Sequence, residues 1–300
     1  MRNLAQAALV VAASLSTTAP LPVAAQQVDM TAETVAVRID VAGRQRMLLE
    51  RMAKYFCFAR SNVTPLESAA KLQKAMDLFA QTHRGFRDGD PSQNLFEEAS
   101  ESVARQWDQV DLLWGPLGAT YETALAGHIV DEHSFERAMG LTLEVRKRAN
   151  DLVAEMRGAY ASHLGDSGVG DTILIDLYGR QRMLSQKLSK EVCLVARGTD
   201  LAENKAELAA TLKLFETSLT AFIEGMPIAG IPTPPTAEIA GQLTKAQSVW
   251  QPIRYVAATI ASGGAVSLTD LEAFAVGTDV FLVEMNKAVK MLAAQQSHTS

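Results

Sequence analysis

Apolar residues recur at the spacing of α-helices along most of the chain, and proline, glycine and asparagine separate the runs. Valine, isoleucine and threonine do not alternate with polar residues as they do in a strand, so a sheet is not expected. Long helices with short connections are typical of up-and-down four-helix bundles, which predicts an all-α protein. The predicted helices span about residues 34–60, 66–87, 93–126, 134–163, 172–197, 201–224, 237–262 and 268–294.

Four local signals refine these predicted helices. Pro116 lies inside the third helix and lacks the N–H that a helix interior needs, so it is expected to kink or break that helix. Ser134 is the expected N-cap of the fourth helix. The glycine-rich residues 165–170 are expected to form a hinge between the two halves of the chain, and the proline-rich residues 227–235 are expected to form a loop.

The second half of the chain repeats the first half at a constant offset of 136 residues. Residues 40–57 and 176–193 are identical at 9 of 18 positions, including a shared Gly-Arg-Gln-Arg-Met-Leu. Further pairs that keep this offset are Trp114 with Trp250 and Asn150 with Asn286. We therefore expect two tandem four-helix bundles, residues 33–164 and residues 169–300, that are related by the internal repeat.

The first helix of each repeat carries two different stripes when its residues are placed at about 100° intervals. One stripe is an ordinary core face, which includes Val37, Val41, Leu48, Met52 and Tyr55 and, in the second copy, Ile173, Leu177, Leu184, Leu188 and Val195. Roughly opposite lies a stripe of mostly small residues around one arginine. It contains Ile39, Gly43, Arg46, Glu50, Ala53 and Cys57, and their counterparts Ile175, Gly179, Arg182, Gln186, Ser189 and Cys193.

A stripe of small residues allows another helix to approach closely, but an arginine within it needs an anion or a carboxylate. If the first helices of the two repeats pair about a pseudo-twofold axis, Arg46 and Arg182 face one another, and an anion between them accepts hydrogen bonds from both. In the alternative interpretation both arginines form surface salt bridges, for instance Arg46 with Glu50. Arg44 and Arg180 point toward the core-face side, where they either reach the rim or contribute to the site.

Cys57 and Cys193 occupy equivalent positions, three helical turns beyond the two arginines and on the same stripe. If the two helices pair in parallel, both cysteines approach the pseudo-twofold axis, and an oxidising compartment permits a disulfide between them. The alternative is a pair of buried, unreactive thiols, because free cysteine is commonly a core residue.

Residues 1–25 have the features of a signal peptide. Arg2 provides a short positive region, an apolar stretch follows, and small residues at Val23-Ala24-Ala25 suit cleavage. A membrane anchor is the alternative, but the apolar run is shorter than the ~20 residues that a spanning helix needs. No later run reaches that length, so we expect a mature, exported protein in a bacterial periplasm. The formal charge of −6 and the absence of a basic tail argue against nucleic acid as a partner.

The sequence contains no recognisable catalytic or metal-binding pattern. Its five histidines lack a mutual spacing that suggests a site, and neither a Glu-x-x-His pair nor a Cys-x-x-Cys-His run is present. We therefore predict neither enzymatic activity nor a cofactor nor a metal.

Residues 179–186, with the sequence Gly-Arg-Gln-Arg-Met-Leu-Ser-Gln, resemble the signature of the PilJ-type sensor domain. This is the N-terminal ligand-binding module of type IV pilus chemotaxis transducers, and it is related to the periplasmic four-helix domain of nitrate- and nitrite-responsive histidine kinases. In those kinases the arginine directly before the methionine binds nitrate between the paired first helices of a dimer. The resemblance therefore implies that Arg46 and Arg182 bind a ligand.

The same resemblance places the glycine of the signature at Gly43 and Gly179. The first repeat departs from the signature, because Leu49-Glu50 replaces Ser185-Gln186. Glu50 lies one turn beyond Arg46 and is expected to compete for its charge, so the two halves are expected to contribute unequally.

Two functions are compatible with the sequence. The first is an exported sensor that binds a small anion, with nitrate or nitrite as the leading candidate, and that signals through a membrane receptor, a transporter or a protein of the pilus system. The alternative is a structural or protein-interaction module of the envelope or the type IV pilus system that binds no small ligand.

Overall fold

A computed structural model describes residues 28–299, apart from the side chains of residues 165–169, 171 and 296–299. The predicted signal peptide, residues 1–25, lies outside the described residues. The α-helices are α1 (Ala32–Arg60), α2 (Pro65–Asp88), α3 (Glu101–Leu125), α4 (Glu132–Ala159), α5 (Ala161–Arg197), α6 (Leu201–Glu224), α7 (Ala237–Trp250), α8 (Arg254–Ala261) and α9 (Leu268–Thr299).

These helices form two four-helix bundles in tandem, so the prediction of an all-α, duplicated fold is confirmed. The first bundle contains α1, α2, α3 and α4, and the second contains α5, α6, the pair α7–α8, and α9. The most extensive helix pairing in the molecule is that of α1 with α5, the two first helices of the repeats. No helix within residues 28–299 is both long enough and apolar enough to cross a membrane.

Both predicted stripes of α1 are buried, because this helix contacts α2 and α4 of its own bundle and also α5. Val41 and Met52 of the core face are buried, and so are Ile39 and Ala53 of the small-residue stripe. Thr31 caps the helix by accepting a hydrogen bond from the N–H of Thr34. The central position of α1 and α5 explains why charged residues on their second stripe become buried as well.

The connection that follows the second helix of each bundle has the same conformation in both repeats. A short 3₁₀ helix, Pro91–Gln93 or Pro227–Ala229, is enclosed by an isolated antiparallel bridge. Each connection begins at a glycine with positive φ, Gly89 at 77° and Gly225 at 80°. Since a side chain is disfavoured in this region of φ, glycine allows the abrupt exit from the helix.

The expected hinge at residues 165–170 is wrong. This segment is helical and belongs to α5, and only Tyr160 separates α4 from α5. A glycine inside a helix costs roughly 1 kcal/mol relative to alanine, which weakens a helix without ending it.

Pro116 also fails to break its helix, because α3 continues from Glu101 to Leu125. The carbonyl that loses its partner is that of Leu112, a residue with an exposed side chain, so water can reach this part of the helix. In the second repeat the equivalent Pro252 does coincide with a break, between α7 and α8. The same Trp-x-Pro motif therefore has two outcomes.

The N-cap of α4 differs from the prediction. Asp131 rather than Ser134 precedes the helix, and its carboxylate accepts a hydrogen bond from the backbone N–H of Ser134 at 2.7 Å. The carboxylate also lies at the positive end of the helix dipole, where a negative charge is favourable.

Candidate functional site

Arg46 of α1 is enclosed at the contact with α5, and only 1% of the residue is exposed. Its Nη2 donates to Asp176 Oδ1 of α5, and the two groups form a buried ion pair. Its Nη1 donates to Asn150 Oδ1 of α4 at 3.0 Å, and its Nε donates to the Gly43 carbonyl at 3.2 Å. Each nitrogen of the guanidinium therefore has an acceptor within the protein.

Arg182 of α5 has the mirrored set of partners and is 3% exposed. Its Nη2 donates to Asp40 Oδ1 of α1 at 2.5 Å, and its Nη1 donates to Asn286 Oδ1 of α9 at 3.1 Å. Its Nε donates to the Gly179 carbonyl at 3.4 Å. Each first helix thus supplies one arginine and one aspartate, and the two ion pairs cross between α1 and α5. We call this arrangement of Asp40, Arg46, Asp176 and Arg182 the seam.

The two glycines of the repeated motif provide the space for the arginine side chains. A Cβ atom at Gly43 would lie 2.8 Å from Arg46 Nη2, and a Cβ atom at Gly179 would lie 2.8 Å from Arg182 Nη2. Each guanidinium therefore folds back over the glycine three residues earlier in the helix. This contact explains why the motif combines glycine and arginine at this spacing.

Asp176 receives more positive charge than Asp40. Besides Arg46, both Arg157 of α4 and Arg180 of α5 lie 3.2 Å from its Oδ2. Burial raises the pKa of Asp176, but Arg46 and Arg180 outweigh that effect and hold the pKa below its ordinary value. The carboxylate is therefore charged at neutral pH although its side chain is only 2% exposed.

Arg44 is the repeat equivalent of Arg180 and lies near the second ion pair. Burial lowers the pKa of Arg44, the nearby Asp40 raises it, and Arg182 lowers it further. The seam and its surroundings thus hold five arginines, and two aspartates meet them. The arginines are Arg44, Arg46, Arg157, Arg180 and Arg182.

The sequence interpretation identified the arginines and their pairing helices, but it missed their protein partners. Asp40 and Asp176 neutralise the guanidiniums that were expected to face one another across an anion. The alternative expected salt bridges at the surface; both arginines do form salt bridges, but these are buried and Glu50 is not a partner. A usable signal was present, since the two aspartates begin the repeated motif and Asn150 matches Asn286 across the repeat.

Glu50 does not compete for Arg46 as expected. It is fully buried, and its Oε2 lies 2.8 Å from Lys190 Nζ of α5 while its Oε1 lies 2.8 Å from Arg146 Nε of α4. Burial raises the pKa of Glu50, yet Lys190 and Arg146 together hold the pKa below its ordinary value.

Gln186, the counterpart of Glu50, lies in a different environment. Its Oε1 accepts a hydrogen bond from Lys54 at 3.2 Å, and its Nε2 donates to the Thr278 carbonyl at 3.1 Å. The carboxylate that meets Lys54 comes from Asp279 of α9, at 2.8 Å. Burial lowers the pKa of Lys54 to about 8, and Asp279 opposes this shift. The two halves therefore differ at this level, although not through the expected competition of Glu50 for Arg46.

Cys57 and Cys193 form a disulfide bond, with their Cα atoms 6.2 Å apart. The sequence left a bonded and a free state open, and the bonded state is present. The bridge links α1 to α5 and thereby joins the two repeats covalently. A group of histidine, cysteine or acidic residues that could hold a metal ion does not occur among the described residues.

The comparison with protein families identifies both repeats. The model of the PilJ family, described as the type IV pili methyl-accepting chemotaxis transducer N-terminal domain, matches residues 30–128 and residues 166–273. These two matches cover more than half of the chain. The chain belongs to the PilJ family. No curated protein matches it.

Membership of the PilJ family agrees with the duplicated architecture. The two matched stretches begin at corresponding positions of the repeat, near the start of α1 and within α5. The family model describes a sensory domain of chemotaxis transducers, so the chain carries a tandem pair of such domains. The paired first helices of these domains are the helices that form the seam.

Proposed function

We propose that this PilJ protein is a sensor that binds a small anion at the seam and reports it to a partner protein. The observation that supports this function is the excess of positive charge around the seam. Five arginines surround two aspartates, and Arg46, Arg182 and Asp176 are almost completely buried. The two buried arginines have one aspartate each, so the excess comes from the surrounding arginines, of which Arg157 and Arg180 are partly exposed. An added anion is attracted by this excess of positive charge.

The anion competes with an aspartate for an arginine. Nitrate and nitrite are the leading candidates, because the resemblance to nitrate-responsive kinases rests on the arginine of this motif. A planar anion accepts two parallel hydrogen bonds from a guanidinium, as a carboxylate does. An anion displaces Asp40 from its arginine more easily than Asp176, since the side chain of Asp40 is 20% exposed while that of Asp176 is 2% exposed.

The seam couples ligand binding to the arrangement of the two bundles. Each ion pair connects α1 with α5, so the replacement of Asp40 by an anion removes one contact between the repeats. A ligand that favours one packing of these helices over another shifts the population toward that packing. A membrane receptor, a transporter or a pilus-system protein in the periplasm reads this shift, after export directed by residues 1–25.

Calorimetry on the mature protein tests this proposal, with nitrate, nitrite and chloride as the titrants. We expect heat with nitrate or nitrite that is lost in Arg46→Ala/Arg182→Ala. Asp40→Asn is the sharper variant, because it removes the competing charge and keeps the shape, so nitrate affinity is expected to rise about tenfold. The absence of heat from both the wild type and Asp40→Asn rules the anion sensor out.

A second function is favoured by the complete set of partners around Arg46. Its Nε, Nη1 and Nη2 already donate to Gly43, Asn150 and Asp176, so the seam also suits a static structural or protein-interaction module of the envelope or pilus. In that case neither nitrate nor nitrite changes the thermal stability of the protein. Asp40→Asn then destabilises the protein without creating affinity for nitrate.

A further inference from the structure

A groove lies between the two repeats, on the outer side of the Arg46–Asp176 ion pair. It has a volume of about 370 Å³, and α4, α5 and α6 form its walls. This volume lies within the range of small-molecule sites and far exceeds the size of nitrate. The polar residues of this groove are Arg146, Asn150, Arg180, Lys187, Glu207 and Thr211.

Three polar residues of the groove retain hydrogen-bond donors. Arg146 approaches Glu50 through Nε, and Arg180 approaches Asp176 through Nε and Nη2. One carboxylate occupies at most two of the nitrogens of a guanidinium, so at least one terminal nitrogen of each arginine remains for another acceptor. Asn150 accepts from Arg46 through Oδ1, which leaves its amide NH₂ group as a donor.

Lys187 does not belong to this set of donors. Its Nζ contacts Glu191, Glu207 at 3.2 Å and Thr211 at 2.6 Å, so its three N–H groups have partners. Glu207 lies at the solvent side of the groove with a largely exposed side chain. The donors that remain therefore cluster on the side formed by α4 and the seam.

The rest of the groove is apolar. Met183 and Leu184 come from α5, and Ala210 and Leu214 come from α6, where Leu214 is 56% exposed. An exposed leucine beside guanidinium groups suits a ligand with an apolar body and an anionic end. We propose that this groove binds a small organic acid, with its carboxylate at Arg146, Arg180 and Asn150 and its apolar body against Met183 and Leu214.

The internal repeat shows how this groove differs from its counterpart on the other side of the molecule. On the other side of the molecule Asp279 supplies a carboxylate to Arg51, Lys54 and Lys71. The residue equivalent to Asp279 is Leu143, which cannot play this role. The residue equivalent to Arg146 is Leu282, which is buried and apolar. The groove therefore has an arginine that its counterpart lacks, and Glu50 rather than an aspartate of the fourth helix supplies the carboxylate that meets Arg146 and Lys190.

The groove is connected to the seam through two side chains. Asn150 holds Arg46 Nη1, and Arg180 contacts the same aspartate that pairs with Arg46. An acid that binds Asn150 and Arg180 therefore acts on the Arg46–Asp176 ion pair. The groove shares Arg180 with the arginines around the seam, but Arg146, Asn150 and the apolar wall belong to the groove alone.

Ligand-observed NMR with benzoate and hexanoate as probes tests the groove on the mature protein. We expect saturable binding of at least one of these acids, and no binding of benzyl alcohol, which has a similar body without the charge. Ala210→Trp fills the groove from an exposed position and is expected to abolish binding. Lys74→Trp, at the equivalent position of the first repeat, is the matched control and is expected to leave binding unchanged.

Arg146→Leu introduces the residue that the second repeat has at this position, and it is expected to weaken acid binding at least about tenfold. Failure of both acids to bind overturns the proposal, and so does binding that persists in Ala210→Trp. Equal binding of acetate overturns the role of the apolar body. Nitrate binding that is lost in Arg46→Ala/Arg182→Ala concerns the seam alone, so the two proposals can fail separately.

Discussion

Gly43 and Gly179 show how a single missing methyl group positions the arginines of the seam. Alanine normally stabilises a helix by about 0.5–1 kcal/mol relative to glycine. At these two positions the added Cβ would meet a guanidinium nitrogen at 2.8 Å. The ordinary preference for alanine is therefore opposed by the loss of a buried ion pair and its hydrogen bonds.

We expect Gly43→Ala to destabilise the protein by about 1–3 kcal/mol, because the arginine must leave its position over the helix. Gly140→Ala is the matched control, since nothing lies within 4 Å of a Cβ at this helical position. That variant is expected to stabilise by about 0.5–1 kcal/mol. Urea denaturation measures both free energies, and an equal stabilisation by Gly43→Ala would contradict the packing explanation.

The two aspartates of the seam are expected to differ in their contribution to stability. Asp176 is more deeply buried than Asp40, and it meets Arg46, Arg157 and Arg180. Removing one partner of a buried ion pair costs about 3–5 kcal/mol, so Asp176→Asn is expected to lie in that range. Asp40→Asn is expected to cost less, and chemical denaturation of the two variants side by side is the measurement. A larger loss in Asp40→Asn would show that the solvent exposure of these carboxylates does not set their contribution.

At the scale of the helices, the two repeats differ in which helix supplies a buried carboxylate. In the first repeat it is the first helix, α1, and in the second repeat it is the last helix, α9. Glu50 of α1, in the first repeat, meets Lys190 of α5 and Arg146 of α4. Asp279 of α9, in the second repeat, meets Lys54 of α1. Both arrangements place a lysine of one first helix against a carboxylate of another helix. The duplication has thus retained the charge pairing while changing the helix that supplies the negative charge.

Asp279 makes the stability depend on pH in the acid range. Although burial raises its pKa, Lys54 and Arg51 lower it from 3.8 to about 2. Its folded pKa is below its unfolded pKa, so the unfolded state binds protons first. The contribution of about 2 kcal/mol is present above pH about 4 and is lost as the pH falls toward about 2.

Denaturation curves between pH 7 and pH 2 measure this dependence. The wild type is expected to lose about 2 kcal/mol more than Asp279→Asn over the acid limb. Asp151→Asn is the control, because the side chain of Asp151 is 59% exposed. If the wild type and Asp279→Asn lose the same stability at acid pH, Asp279 is not the source of the pH dependence.

At the scale of the whole molecule, the disulfide between Cys57 and Cys193 links the two bundles. It lies beyond the seam, toward the C-terminal ends of α1 and α5. Cys57 and Cys193 are separated by 136 residues in the sequence. A cross-link that closes so long a loop lowers the conformational entropy of the unfolded chain. The bridge and the two ion pairs thus join α1 to α5 at separate points along the two helices.

Cys57→Ser/Cys193→Ser is expected to lower the free energy of unfolding by about 2–5 kcal/mol. The far-ultraviolet circular dichroism spectrum is expected to stay unchanged, since each bundle keeps its own core. Guanidinium denaturation with and without a reducing agent provides the measurement, and the double variant should be insensitive to the reducing agent. A wild type of the same stability in both conditions would show that the bridge contributes little.

The helices, the duplication and the pairing of the first helices could all be predicted from the sequence. Helical periodicity is a local property, and an internal repeat is visible wherever equivalent residues keep a constant offset, as Arg46 and Arg182 do. The interruption of a helix by a single proline or glycine was less predictable. Pro116 and the glycines of residues 165–170 lie inside helices, because a single such residue weakens a helix without requiring it to end.

Ion-pair partners required the tertiary structure. Arg46 meets Asp176, which is 130 residues away in the sequence, and Lys54 meets Asp279, which is 225 residues away. Periodicity places a side chain on one face of its own helix, but it does not say which residue of another helix lies opposite. Those partners depend on the relative rotation and translation of two packed helices. The sequence therefore placed both arginines on the stripe where the first helices could pair and left a buried and a surface position open. Only the packing of α1 against α5 decided that they are buried and that aspartates neutralise them.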